Sequence, residues 1–326
     1  MRASTLAAGV LAAALAWSTQ GSAAGLLVTA NGQVQIGIND GGQLISGGVG
    51  IGYNFTGQGG RNGYQDALAP GCECEAWGVS ANGLGGQIGQ GAGATNITTG
   101  ASVTGAGTFT SNTSLSTLPG LTITQAYSIG VETATGGLFR NVVTITNNTG
   151  AAVTDVRYAR AMDWDVPPTE FNEFVEHRGT GTTTTLLRST DDGFDDANPI
   201  TAVSNGGIVG TPNTDGDQGG ANDHGSLFVF GFGSLADGAS YTFNILYGAG
   251  KDRADALALL GAVAPELYSL GQSDTGSGRD DSSPTFVFAF SGVGGTVLVP
   301  EPASLGLFGL GLLGLGMVRR RLRRQV

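Results

Sequence analysis

In the stretch Tyr241-Thr-Phe-Asn-Ile-Leu-Tyr247 every second side chain is large and apolar: Tyr241, Phe243, Ile245 and Tyr247. Side chains on a β-strand alternate between two faces, so this spacing lines one face with apolar bulk. A helix of the same residues would scatter them round its circumference. Phe286, Phe288 and Phe290 repeat the pattern, as do Val34, Ile36 and Ile38, then Val143 and Ile145, then Phe228, Phe230 and Phe232. Turn-forming runs such as Asn147-Asn-Thr-Gly150 and Ala236-Asp-Gly-Ala239 separate these segments. Strands with one apolar face need a second layer to cover it.

Glycine is abundant, at 58 of 326 residues, but it follows no three-residue period, which excludes a collagen-like chain. With 40% hydrophobic and only 13% charged residues, the chain has the means to pack a core. One segment reads as a helix: Asp252 caps it, Ala254, Leu257, Ala258 and Gly261 line one face, and Pro265 ends it. The expected fold class is all-β, a large antiparallel β-sandwich with one short inserted helix over an end or edge of a sheet. Residues 83–118 are poor in large side chains and read as thin edge strands or loops, with a subdivision of the body near 95–118. No fixed-period repeat supports a solenoid or propeller.

The two ends carry targeting information. Met1 and Arg2 precede the apolar run Leu6 to Trp17, and the small residues Gly21, Ser22, Ala23 and Ala24 follow. This is the pattern of a secretory signal peptide spanning residues 1–24, so the secretion translocon and signal peptidase are expected partners. At the other end, the 14 residues from Leu305 to Val318 are apolar and precede Arg319, Arg320, Arg321, Arg323 and Arg324. They make about 21 Å of helix against a hydrocarbon core of about 30 Å, which reads as a short transmembrane helix and a transient inner-membrane anchor, with its arginines on the cytoplasmic side.

The order of elements at this end, Val299-Pro300-Glu301-Pro302, then a Gly/Leu run, then an Arg-rich tail, closely resembles the PEP-CTERM sorting signal of Gram-negative bacteria. The resemblance covers residues 299–326. It implies a membrane-embedded exosortase that recognises Pro300, Glu301 and Pro302 and removes the tail, leaving the 25–298 body at the cell surface or outside the cell. That body also resembles exported β-sandwich proteins that accompany bacterial exopolysaccharide.

Loss of Arg2 and the five tail arginines takes the formal charge from −11 to about −17. Such a surface repels nucleic acid, which is excluded as a partner, and attracts divalent cations. The two cysteines, Cys72 and Cys74, flank a single residue, so no disulfide framework holds the fold. Three readings are open for them: a local disulfide, bonds between chains, or a thiolate metal site with Glu73, Glu75 or Asp66.

The densest group of functional side chains runs from Arg160 to Glu176. On a continued strand, Asp163 and Asp165 share a face and Trp164 points away. Carboxylates beside an aromatic ring suit sugar binding, glycoside hydrolysis with Asp163, Asp165 or Glu173, or calcium. The alternative is a structural strand end with Arg157 or Arg160 as the partner of the aspartates. A second acidic run, with Asp215, Asp217 and Asp223, has oxygens and glycines suited to a calcium loop, but it lacks the distal glutamate of an EF-hand, and the alternative, a solvated turn, is the favoured reading. No other cofactor is expected. His177 and His224 are the only histidines and neither falls in a metalloprotease motif; there is no nucleophile elbow, and with Lys251 as the only lysine there is no phosphate loop. The expectation is a non-enzymatic surface or matrix protein, with a carbohydrate-active enzyme or a calcium-stabilised adhesin as the alternatives.

Overall fold

The alternating segments Tyr241–Tyr247 and Phe286–Phe290 lie on the inner face of a ten-stranded antiparallel sheet in a computed structural model that describes residues 25–57, 60–89, 93–194, 196–202 and 209–295. Its centre is Leu267–Gln272, Thr285–Ser291, Ser240–Gly250, Gly137–Asn147 and Leu118–Glu132, side by side. Register places Tyr247 between Phe139 and Phe288, and Ile245 beside Phe290, so that large side chains from neighbouring strands meet on one face.

A six-stranded sheet, centred on Glu75–Ala81, Val153–Trp164 and His224–Leu235, packs its aromatic face against the first. Rings meet across the gap: Phe230 lies 4.8 Å from Phe290, Tyr158 5.0 Å from Phe243 and Phe228 5.6 Å from Phe288. Burial of a large apolar side chain of this kind stabilises by roughly 1.5–3 kcal/mol, so these rings dominate the core. A four-stranded sheet from Gly25–Val28 to Tyr64–Asp66 adds Val34, Ile36, Ile51 and Tyr53 to the same core. Within the sparse region the strand Gly93–Thr95 forms the outer edge of the six-stranded sheet and Ile97–Thr99 an outer edge of the ten-stranded one.

The helix, Arg253–Val263, begins where Asp252 accepts a hydrogen bond from the Asp255 amide and ends at Ala264, which adopts a left-handed conformation. Its buried face differs from the expected one. Ala256, Leu259 and Leu260 face inward, whereas Ala254, Ala258 and Gly261 are exposed. Of the expected face only Leu257 packs against the sheet, half-buried; the stripe with two adjacent leucines buries more apolar surface than one with a single leucine among alanine and glycine. The helix also lies over a face of the ten-stranded sheet, against Leu138, Leu246, Tyr268, Leu270 and Val287, and not over an end or edge.

The outer face of the six-stranded sheet is covered too. Ala76, Ala159, Ala161, Leu227 and Val229 pack against Ala197 and Ala202 of the following loop. The small side chains let that loop come close. A Cβ on Gly78 would lie 2.1 Å from the Ala197 carbonyl oxygen, so the position tolerates only glycine. Among the described residues no helix is long and apolar enough to cross a membrane. The expected span at 305–318, the signal peptide, the Pro300-Glu301-Pro302 motif and the tail arginines lie outside the described residues.

Candidate functional site

Strand pairing brings the carboxylates of two distant segments together. Trp164 stands opposite His224 at the end of an antiparallel pair, and Asp165 and Asp223 are the next residues beyond that pair on the two segments. Alternation sends Trp164 inward, where its indole N–H reaches Ser226 and Ser269 hydroxyls, and leaves Asp163 on the other side of the sheet. The backbone amides of Asp163 and Asp165 donate to the carbonyls of Cys74 and Ala67, which lays a third segment alongside. Carboxylate oxygens of Asp163, Asp165 and Asp223 then lie within 4.8 Å of one another. Glu173 closes the group, because its backbone pairs with Asn222 and its Oε1 accepts from the His224 amide at 2.7 Å.

The group is buried and short of partners. Asp165 and Glu173 have 0% exposure and Asp163 3%, while Asp223 is half-buried. Both oxygens of Asp165, Oδ1 of Asp163 and of Asp223, and Oε2 of Glu173 accept no hydrogen bond. Among the described residues no arginine or lysine forms an ion pair with any of the four. Burial, together with repulsion from Asp165, Asp223 and Asp192, pushes Asp163 up to about 8. Burial and the charges of Asp223, Glu170 and Asp66 push Asp165 up to about 7. Glu173 rises to about 9 through burial and its three acidic neighbours, against the pull of the His224 amide. Burial also raises Asp223.

Ion pairs match the buried charges of Glu75, Arg160 and Glu176. Arg160, expected as a partner for the aspartates, instead pairs with Glu75 between the two large sheets, where both side chains have no exposed surface. Glu75 also accepts from the Leu44 amide at 2.6 Å, and Arg160 donates to Gln125 at 2.9 Å. Burial works against the Arg160 charge, but Glu75 and the surrounding tyrosines hold its pKa well above the ordinary value. Arg157, the other expected partner, pairs with Asp155. Glu176 is met by Arg178, Arg253 and Arg279.

The remaining candidates separate. Asp215 accepts from the Thr180 amide and hydroxyl, at 2.8 and 2.7 Å, and Asp217 from the amides of Gly219 and Gly220. Both are thereby turn-fixing residues, and of that acidic run only Asp223 reaches the carboxylate group. Cys72 and Cys74 are joined by a disulfide, with Cys72 Sγ 3.4 Å from Asp163 Oδ2. As disulfide sulfurs they offer no thiolate to a metal. His224 is held by Asp191 at 2.9 Å and the Gly220 carbonyl at 2.9 Å. His177 Nε2 lies 2.9 Å from the Ser226 hydroxyl, yet both residues have 0% exposure, and burial lowers the histidine to about 4. That pair is a core contact out of a substrate's reach.

The geometry defines a β-rich body, described from Gly25 to Gly295, with a carboxylate cluster at one strand end. Immediately beyond it, residues 298–321 match the PEP-CTERM protein-sorting motif. No curated protein and no solved structure matches the chain.

Proposed function

We propose that this is an exported surface or extracellular-matrix protein of a Gram-negative bacterium, tethered briefly in the inner membrane and processed by exosortase, with a non-enzymatic β-sandwich body that associates with exopolysaccharide. The observation that carries this reading is the placement of the sorting motif. It starts at residue 298, after the last described strand, Thr285–Ser291. That strand sits inside the ten-stranded sheet, between Leu267–Gln272 and Ser240–Gly250. Cleavage at Pro300-Glu301-Pro302 therefore removes none of these strands. The Cys72–Cys74 disulfide also suits an oxidising compartment.

The carboxylate group argues against glycoside hydrolysis. That chemistry needs two carboxyls about 5–10 Å apart with space for a sugar or water between them. Here the oxygens of Asp163, Asp165 and Asp223 crowd within 4.8 Å, and Asp165 and Glu173 are fully buried.

Fractionation of the native host with and without its exosortase tests the reading. The expected result is tail-free protein in the surface or polysaccharide fraction of the normal strain and tail-bearing protein in the inner membrane of the deletion strain. The same distribution in both strains contradicts it.

A further inference from the structure

We infer that Asp163, Asp165 and Asp223 form a calcium site that clamps two chain segments at one end of the six-stranded sheet. Two observations carry the inference. The first is convergence: Asp163 and Asp165 from one segment and Asp223, some way along the chain, each place an oxygen within 4.8 Å of the others. The second is the state of Asp165, which has 0% exposure and no hydrogen bond to either carboxylate oxygen. A buried charge left unpaired costs several kcal/mol, and folded proteins match such groups. This one does so at Glu75 and Glu176. The charge absent beside Asp165 is positive, and an ion from solution supplies it.

The chemistry selects the ion. An all-oxygen donor set suits a hard divalent cation. Calcium takes about six to eight oxygens in flexible geometry, and three carboxylates offer up to six. Magnesium keeps several waters and commonly takes only one or two carboxylates. Half-buried Asp223 and exposed Cys72 leave a way in from solvent. Bound there, the ion ties the end of Val153–Trp164 to the loop before His224 and, through the Asp163 and Asp165 amides, to the segment carrying the disulfide. Glu173, with Oε2 unpartnered and its backbone joined to Asn222, stands beside the site as a further acidic group.

The preference for calcium rests partly on the proposed export, since extracellular sites work at about 10⁻⁴–10⁻³ M calcium. The site itself does not, and the test uses purified protein, so its failure and that of the sorting proposal are distinguishable. Full-length protein in detergent is stripped with a chelator and titrated with calcium or magnesium chloride at about pH 8, and binding is followed by calorimetry and by Tm. The expected result is saturable calcium binding and a Tm rise of about 5 °C or more at saturation, with a smaller response to magnesium. Asp165→Asn should abolish the calcium response and melt higher than wild type in chelator, because the amide removes one of the repelling charges. The absence of calcium heat and Tm shift in the wild type, a response retained in Asp165→Asn, or an equal response to magnesium would each overturn the inference. Should Asp165→Asn not fold, wild-type calorimetry decides alone.

Discussion

Arg160 and Glu75 form an ion pair with no exposed surface, held between the two large sheets with the Tyr247 ring 5.4 Å from the guanidinium. Removal of either partner leaves the other charge buried and unmatched. Glu75→Gln should therefore cost about 3–5 kcal/mol. Arg160→Met in the same background should recover part of that loss, and a double-mutant cycle read by thermal denaturation checks the coupling.

The carboxylate group should give the ion-free protein a distinctive pH profile. Asp163, Asp165 and Glu173 have folded pKa values of about 8, 7 and 9, all raised chiefly by burial. Unfolded, they ionise near about 4. Their contribution is fully present below that value and is lost as pH rises through the folded values. In chelator, the wild-type Tm should fall relative to Asp163→Asn/Asp165→Asn between about pH 5 and pH 9. A difference that stays constant over this range contradicts the electrostatics.

The helix makes a sharper claim about its faces. Leu259→Ala removes a fully buried side chain from the cluster with Leu246 and Tyr268, and should cost about 2–5 kcal/mol. Ala258→Ser changes an exposed position and should stay within about 0.5 kcal/mol. Asp252→Ala removes the cap and should cost about 1 kcal/mol. Chemical denaturation of the three variants ranks them.

Gly78→Ala drives a methyl group into the Ala197 carbonyl and should cost about 1–3 kcal/mol by displacing the loop that covers the outer face of the sheet. Faster limited proteolysis around residues 196–202 would register the displacement.

The strands were legible in the sequence because alternation is local: Tyr241 to Tyr247 and Phe286 to Phe290 declare a face without help from the rest of the chain. The helix was legible as an element, through Asp252 and the run after it, but its inward face was not. The choice between Ala254/Ala258 and Ala256/Leu259/Leu260 depends on the sheet surface beneath. Pairing between distant strands was illegible for the same reason. Asp163 and Asp165 stood out as a pair on one strand face and Asp223 in a separate acidic run, but the joining of Asp223 to the pair follows from Trp164 standing opposite His224. Glu75 gave no signal as a core residue, since its partner lies 85 positions away.

Intact-mass analysis of the protein recovered from its native host tests the central claim most directly. The account predicts a mature chain that begins near Gly25 and has lost Arg319 to Arg324. A cytosolic species that keeps both the N-terminal apolar stretch and the arginine tail would contradict it.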